Sequence, residues 1–235
     1  MAAQEKNPVE LEKATSLAHV PKSEEFDKMI SGMLPLSGTM ALTDLSSLSY
    51  NAQEPGLMKA RFNARRWMHK YNNYFPDDPE ADFDSLAEVR SNMLKQFIGH
   101  VGEGVFIEPS IAVDYGCNIR LGNRFYSNFN LTILDCALVT IGDRVMFGPN
   151  VSILTATHET EVQSRRDDVE YAKPITIGDD CWIGGHVVIL PGVTIGQGCT
   201  IAASSVVTKD IPAWSVAMGT PARVVKKVTP LEAHS

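Results

Sequence analysis

Aliphatic side chains recur every six residues through the second half of the chain. A glycine or another small residue follows most of these anchor positions, and the fourth position after an anchor is small or β-branched, as at Val145 and Cys181. An amphipathic α-helix cannot produce this period, because 3.6 residues per turn require spacings of three and four. The period predicts a parallel β-helix, in which short strands stack coil on coil. The anchors are Ile141, Phe147, Ile153, Ile177, Ile183, Ile189, Ile195, Ile201 and Val207.

The frame of the repeat slips once near residues 135–139. An earlier set of anchors runs from Ile107 to Leu131 in steps of six, and the next anchor, Ile141, follows ten residues later. We expect a bulge or a short corner loop at the slip, and such irregularities are over-represented near active sites.

A polar segment, residues 155–174, forms a second interruption. The distance from Ile153 to Ile177 is four whole periods, so the segment is predicted to leave the β-helix as an excursion and to return in register. The length of the repeat region leaves room for four to five coils of three hexapeptides each.

The N-terminal part of the chain has helical periodicity instead. Phe26, Met29, Ile30 and Met33 predict one helix face, a second helix is expected after Pro55, and a third near a capping box of Ser85 and Glu88. The predicted organisation is a disordered tail over 1–22, a helical cap over 23–100 with an inserted loop at 35–49, the β-helix over 101–227, and a C-terminal tail over 228–235.

Composition narrows the function classes. The net charge of −7 argues against a nucleic-acid-binding protein, which would carry a basic stripe. No apolar run approaches the length of a membrane span, and the first residues do not resemble a signal peptide. The four cysteines have no paired spacing, and we interpret them as reduced thiols of a cytoplasmic protein.

The flat walls of such a β-helix need a partner surface. Packing between walls favours a closed homotrimer of three-sided prisms, with clefts between subunits that suit an elongated ligand.

Four segments in the same order resemble the maltose and galactoside O-acetyltransferases, hexapeptide-repeat enzymes that include the nodulation L proteins. The segments are YSNFNLTILD (126–135), IGDRVMFGPNVSILTATH (141–158), KPITIGDDCWIGGHVVILPGVTIG (173–196) and VVTKDIP…GTPARVVK (206–226). The resemblance implies a left-handed parallel β-helix, a trimer, and acetyl transfer from acetyl-CoA to a sugar hydroxyl.

An alcohol needs a base to become a nucleophile, and His158 matches the family's catalytic histidine. Asn128 matches the asparagine that holds the acceptor hydroxyl and can donate to the developing oxyanion.

Two carboxylates are candidate acceptor ligands by the same resemblance. Asp135 ends the LTILD segment, and Asp114 matches the maltose-type enzymes. The galactoside enzyme has a second acid after the first, where this chain has Cys136, so a galactoside acceptor is disfavoured. The family's coenzyme-binding positions, where phosphates meet cations and the pantetheine arm passes close to the backbone, correspond to Gly185, Ala203, Thr208, Lys209, Arg223 and Lys226.

These observations predict a cytoplasmic, acetyl-CoA-dependent sugar O-acetyltransferase that needs no metal. A γ-class carbonic anhydrase on the same helix would need three histidines converging on zinc, and this chain has no closely spaced histidine pair. Two alternatives stay open: an acetyltransferase for a non-sugar small molecule, and an inactive β-helix that serves as a scaffold.

Overall fold

The computed structural model describes residues 5–33, 50–158, 160–166 and 170–230, without the side chain of Ser164. The predicted loop at 35–49 and most of the predicted C-terminal tail lie outside these residues. Within them the chain forms a three-walled parallel β-helix preceded by α-helices, which confirms the predicted fold class.

Each coil of the β-helix contributes one short strand to each of three walls. Wall A contains β1 (His100–Val101), β4 (Ile119–Leu121), β7 (Val139–Ile141), β12 (Ile175–Ile177) and β15 (Thr194–Ile195). Wall B contains β2 (Phe106–Ile107), β5 (Tyr126–Ser127), β8 (Met146–Phe147), β13 (Trp182–Ile183), β16 (Thr200–Ile201), β18 (Ser215–Gly219) and the antiparallel edge strand β19 (Ala222–Lys227). Wall C contains β3 (Ile111–Val113), β6 (Leu131–Leu134), β9 (Ser152–Leu154), β14 (Val188–Ile189) and β17 (Val206–Val207).

The described residues give five complete coils and the start of a sixth, in which Ile211 pairs with Ile195. All nine predicted anchors are buried, so the hydrophobic period marks the side chains that fill the prism. The corners between walls carry left-handed residues that allow a tight turn, among them Asn130, Asn150 and His186. His186 therefore has the corner position expected from its WIGGH context.

The predicted single slip of four is wrong. Val113 and Ile133 are paired one coil apart, and the next wall A positions are Leu121 and Ile141, so the frame slips twice, by two residues each time. The coil from Leu121 to Ile141 consequently takes twenty residues, whereas the coil from Ile177 to Ile195, which has no slip, takes eighteen.

Both slips and the excursion occur at one edge of the prism, where wall C leads into wall A. We call this edge the C–A corner: residues 114–118, 135–138, 155–174, 190–193 and 208–210. The excursion contains the hairpin β10 (Ala156–His158) and β11 (Glu170–Ala172) and the short helix α5 (Val162–Arg166). The corner between walls B and C, at residues 108–110, 128–130, 148–151, 184–187 and 202–205, is called the B–C corner.

The helices of the N-terminal region depart from the sequence prediction in two places. Residues 8–14 form a helix inside the predicted disordered tail, and Ala14 is buried there. The N-cap of the fourth helix is Asp82, three residues earlier than expected, because its capping box joins Asp82 and Ser85 instead of Ser85 and Glu88. The helices that the structure describes in this region are α1 (Pro8–Ala14), α2 (Glu24–Ile30), α3 (Pro55–Asn72) and α4 (Phe83–Leu94).

Candidate active site

Apart from Arg223 and Lys226 on β19, the predicted site residues lie on two different edges of the prism. Along the C–A corner, from the first coil to the last, come the two acids, the histidine hairpin and the lysine turn: Asp114, Asp135, His158, Thr208 and Lys209. Along the B–C corner, in the same direction, come Asn128, Gly185 and Ala203. Each edge therefore has predicted acceptor residues near the first coils and predicted coenzyme residues near the last.

The structure brings Asp114 and Asp135 together. Asp135 Oδ1 accepts the backbone N–H groups of Asp114 and Tyr115 at 3.0 and 2.9 Å. Cys136 Sγ donates to Asp114 Oδ2 at 3.7 Å. Asp114 is half-buried, whereas Asp135 is 0% exposed. The predicted role of Asp135 as a direct acceptor ligand does not fit this burial, and Asp114 is the acid that reaches the surface.

Burial dominates the electrostatics of this cluster. It raises the pKa of Asp114 above the usual carboxyl range, an effect that the Cys136 hydrogen bond and the guanidinium groups of Arg65 and Arg61 oppose. It also raises the pKa of Asp135 to about 7, despite the backbone N–H groups that stabilise its anion. The Cys136 thiol is buried as well, which raises its pKa and keeps it neutral.

His158 is the last residue of β10 and lies outside the three walls of the β-helix. The register of the hairpin places it opposite Glu170, and its side chain is exposed. Ala172 at the base of the hairpin is fully buried, so the hairpin is anchored to the body of the protein. The excursion thus holds an imidazole out beside the C–A corner, where Asp114 is also presented.

Close backbone stacking shapes the B–C corner. The N–H of Asn128 bonds to Phe147 O at 3.0 Å, and the N–H of Ser204 bonds to Gly185 O at 2.9 Å. A Cβ atom on Gly184 would come within 2.5 Å of Ala203 N, so only glycine lets these coils approach. Asn128 is half-buried, and its Oδ1 accepts the Phe129 N–H at 2.7 Å, which orients the amide.

The predicted coenzyme cations occupy the last coils. Thr208 and Lys209 are exposed in the final turn of the C–A corner. Arg223 and Lys226 are exposed on β19, which pairs with β18 as the edge of wall B. Exposed cations of this kind suit an anion with several phosphate groups.

Sequence reasoning missed two buried polar residues, Asn118 and Thr155. Both side chains are 0% exposed and bond to the backbone of the neighbouring C–A corner. Both stand beside an interruption of the six-residue frame, and a polar residue at such a position is the signal that could have identified them.

Metal-binding clusters and membrane-spanning helices are both absent from the described residues. No group of three or more His, Cys, Asp or Glu side chains there is arranged to hold a metal ion. None of the helices in that part of the chain is both long and apolar enough to cross a membrane.

The chain is similar to known acetyltransferases over most of its length. Residues 45–102 match the maltose acetyltransferase hexapeptide capping motif, and residues 174–209 match the bacterial transferase hexapeptide repeats. The galactoside O-acetyltransferase of Escherichia coli is 41% identical over 76% of this chain and 84% of its own. The crystal structure of a maltose O-acetyltransferase from Clostridium difficile 630 is 39% identical, with a TM-score of 0.76 over 88% of this chain and 99% of its own. A galactoside acetyltransferase crystallised with coenzyme A is 40% identical, with a TM-score of 0.70 over 77% of this chain and 86% of its own. The chain therefore belongs to the maltose and galactoside O-acetyltransferase family of hexapeptide-repeat acetyltransferases.

Proposed function

We propose that this acetyltransferase moves the acetyl group of acetyl-CoA to a sugar hydroxyl, with His158 as the general base. The observation that carries the proposal is the hairpin β10–β11, which holds His158 outside the coils on the same edge as the surface acid Asp114. The coenzyme A complex of the 40% identical galactoside acetyltransferase supports acetyl-CoA as the donor.

The proposed reaction is a direct transfer within a ternary complex. His158 removes the proton of the acceptor hydroxyl, and the oxygen attacks the thioester carbonyl carbon to form a tetrahedral intermediate. The amide of Asn128 donates a hydrogen bond to the oxyanion. The C–S bond then breaks, and His158 returns its proton to the sulfur of CoA. The four cysteines take no covalent part, and all four are free and buried.

Asp114 is the proposed acceptor ligand. Its half-buried carboxyl group can accept hydrogen bonds from sugar hydroxyls, and Arg61 and Arg65 of α3 lie near enough to influence its charge. Cys136, a buried neutral thiol, bonds to Asp114 where the galactoside enzyme has a second acid. We therefore favour an acceptor of the maltose or glucose type.

The coenzyme extends along the later coils in this proposal. Its pantetheine arm passes Gly185 and Ala203 at the B–C corner, where the backbones of neighbouring coils are close to the surface. Thr208 and Lys209 at the other corner, with Arg223 and Lys226 on β19, bind its phosphates.

A homotrimer would unite the two edges. Wall C separates Asn128 from Asp114 and His158 within one chain, so a cleft between the B–C corner of one subunit and the C–A corner of the next would contain both halves of the site. The outer face of wall B supports subunit packing, because Tyr126, Met146 and Trp182 are 37%, 52% and 54% exposed in adjacent strands. The free cysteines support a reducing, cytoplasmic location.

The test combines a substrate screen with one variant. Acetyl-CoA consumption is measured with maltose, glucose, methyl β-galactoside, amines and hydroxyamino acids as acceptors. We expect sugar-dependent turnover, and His158→Ala should lower kcat by about 10²–10⁴-fold with little change in acetyl-CoA affinity. Turnover with amines or amino acids alone would show that the acceptor is not a sugar. Absence of turnover with every acceptor would favour the alternative of an inactive scaffold. A His158→Ala variant that retains most of its activity would overturn the proposed base.

A further inference from the structure

We propose that Asn118, Asp135 and Thr155 form a positioning unit that fixes Asp114 relative to the hairpin of His158. In this assignment, which rests on the proposed function, Asp135 is a positioning residue and not an acceptor ligand. We call the three residues the corner spine.

The first half of the spine joins two successive turns of the C–A corner. Asp135 Oδ1 accepts the N–H groups of Asp114 and Tyr115, at 3.0 and 2.9 Å. At the other end of the same turn, Asn118 Nδ2 donates to the Asp135 backbone carbonyl at 2.6 Å. The backbone that presents Asp114 is therefore held from the coil above at both ends of its turn.

The second half joins the same corner to the excursion. Thr155 Oγ1 donates to Leu134 O at 2.6 Å and accepts the Ala137 N–H at 3.0 Å. The carbonyl of Thr155 accepts the Lys173 N–H at 2.9 Å, which closes the base of the hairpin. One residue thus fixes both the turn that contains Asp135 and the root of the hairpin that carries His158.

The burial of the spine and a comparison with a later turn indicate that the β-helix does not need polar side chains to close this corner. All three side chains are 0% exposed, and Asp135 Oδ2 has no hydrogen-bond partner among the residues that the structure describes, so the unit places polar groups in the interior at a cost in stability. The later turn at 190–193 closes the same corner with Leu190, Pro191, Gly192 and Val193, which have no polar side chain. Buried polar residues occur where the corner is widened to present the proposed acceptor acid and base.

A shift of about 1 Å between the acceptor and its base can cost a large factor in rate. Loss of the spine should therefore lower kcat, since Asp114 and His158 would move relative to each other. Acetyl-CoA binding should change little, because the predicted coenzyme residues lie on later coils.

The experiment compares paired substitutions. Asp135→Leu and Thr155→Val remove the inter-coil hydrogen bonds made by these two side chains, whereas Asp135→Asn and Thr155→Ser retain the acceptor oxygen and the hydroxyl. Asp143→Leu is the matched control, because Asp143 Oδ1 accepts the Asn123 N–H at 2.7 Å in the same type of inter-coil bond, at the corner between walls A and B. The readouts are steady-state kinetics with maltose and acetyl-CoA, and hydrogen–deuterium exchange of intact protein.

We expect Asp135→Leu and Thr155→Val to lower kcat about 10–100-fold, with the acetyl-CoA KM unchanged within about twofold. Both variants should speed exchange in peptides covering 111–118 and 153–158. In Thr155→Val the faster exchange near Asp114 would be an indirect effect, because Thr155 makes no hydrogen bond to Asp114 and acts through the turn that contains Asp135. Asp135→Asn and Thr155→Ser should restore both readouts, and Asp143→Leu should affect exchange near Asn123 only.

Two results would overturn the assignment. A raised maltose KM in Asp135→Asn with normal exchange would make Asp135 a direct ligand. Wild-type exchange at 111–118 in Thr155→Val would show that the two turns are not coupled. If Asp135→Leu does not fold, the Thr155 pair decides the question. A wild-type protein that acetylates no sugar contradicts the proposed function, whereas the exchange data still accept or reject the spine.

Discussion

Val139 and Ile175 are paired neighbours on wall A, although the whole excursion lies between them in the chain. The next coil therefore starts on wall A in the register that it would have if the excursion, residues 155–174, were absent. The hairpin can carry function without supporting the β-helix.

Excision of the hairpin should leave the fold intact. Replacing residues 157–171 by Asn-Gly would connect the paired residues Ala156 and Ala172 through a two-residue turn. We expect the midpoint of thermal unfolding, measured by circular dichroism, to change by only a few degrees, because the wall registers do not depend on the hairpin. Activity should fall at least as far as in His158→Ala. Failure of the excised chain to fold would show that the excursion stabilises the coils.

Mixing two inactive variants should restore activity if the site lies between subunits. Asn128→Ala and His158→Ala change residues on the B–C and C–A corners respectively. Refolding the two variants together would form some clefts with both native residues, whereas each variant alone would form none. The measurements are acetyl transfer by the mixture and mass by light scattering, for which we expect three chains. An inactive mixture of proven hetero-oligomers would place both residues in a cleft of one subunit.

Two adjacent glycines should respond differently to alanine. A Cβ on Gly184 would come within 2.5 Å of Ala203 N, so Gly184→Ala should lower the free energy of unfolding by about 1–3 kcal/mol. On Gly185 the nearest atom would be Pro149 Cδ at 3.2 Å, so Gly185→Ala should be less destabilising. The Gly185 variant should instead raise the acetyl-CoA KM, because its methyl group would occupy the proposed pantetheine path. Denaturant unfolding and steady-state kinetics measure the two effects, and equal destabilisation would contradict the packing argument.

Arg223→Ala should weaken acetyl-CoA binding modestly. The side chain is exposed and donates to the Ala222 carbonyl at 2.9 Å. An exposed charge pair contributes up to about 1 kcal/mol, so we expect a roughly two- to fivefold rise in the acetyl-CoA KM with an unchanged acceptor KM. Lys59→Ala, an exposed cation on α3, is the control and should leave the acetyl-CoA KM unchanged. A larger effect on the acceptor than on acetyl-CoA would reverse the proposed orientation of the cleft.

The pH dependence of stability should report the protonation of Asp135. Burial raises the pKa of its carboxyl group to about 7 in the folded chain, from an ordinary value of 3.8. Between these values the folded chain retains a proton that the unfolded chain has lost, so this carboxyl lowers the free energy of unfolding as the pH rises through that window. Asp135→Asn has no such proton, so its stability relative to wild type should increase from about pH 4 to pH 7, by at most about 4 kcal/mol, and then level off. Urea unfolding at several pH values measures this difference; Asp114, whose pKa is also raised, is present in both proteins. A difference that does not change with pH would contradict the raised pKa.

The sequence alone determined the type of fold and the content of its core. The six-residue period identifies the inward side chains because every coil repeats the same local geometry, and each anchor is buried as expected. The helix face of Phe26, Met29, Ile30 and Met33 was also predictable, since a helix face is set by spacing along the chain. The resemblance to the family's motifs identified His158 and Asn128 as candidate catalytic residues.

Only the tertiary structure decided how the interruptions relate to one another. Along the chain, the slips near Asp114 and Asp135 and the excursion after Thr155 are separate events, and the first was not recognised. Stacking places them on a single edge, because residues one coil apart are distant in sequence and adjacent in space. The same stacking buries Asp135 and exposes Asp114, which are equally polar in the sequence. The burial of a side chain and its hydrogen-bond partners depend on contacts between coils. No local sequence pattern encodes which of the two acids faces solvent.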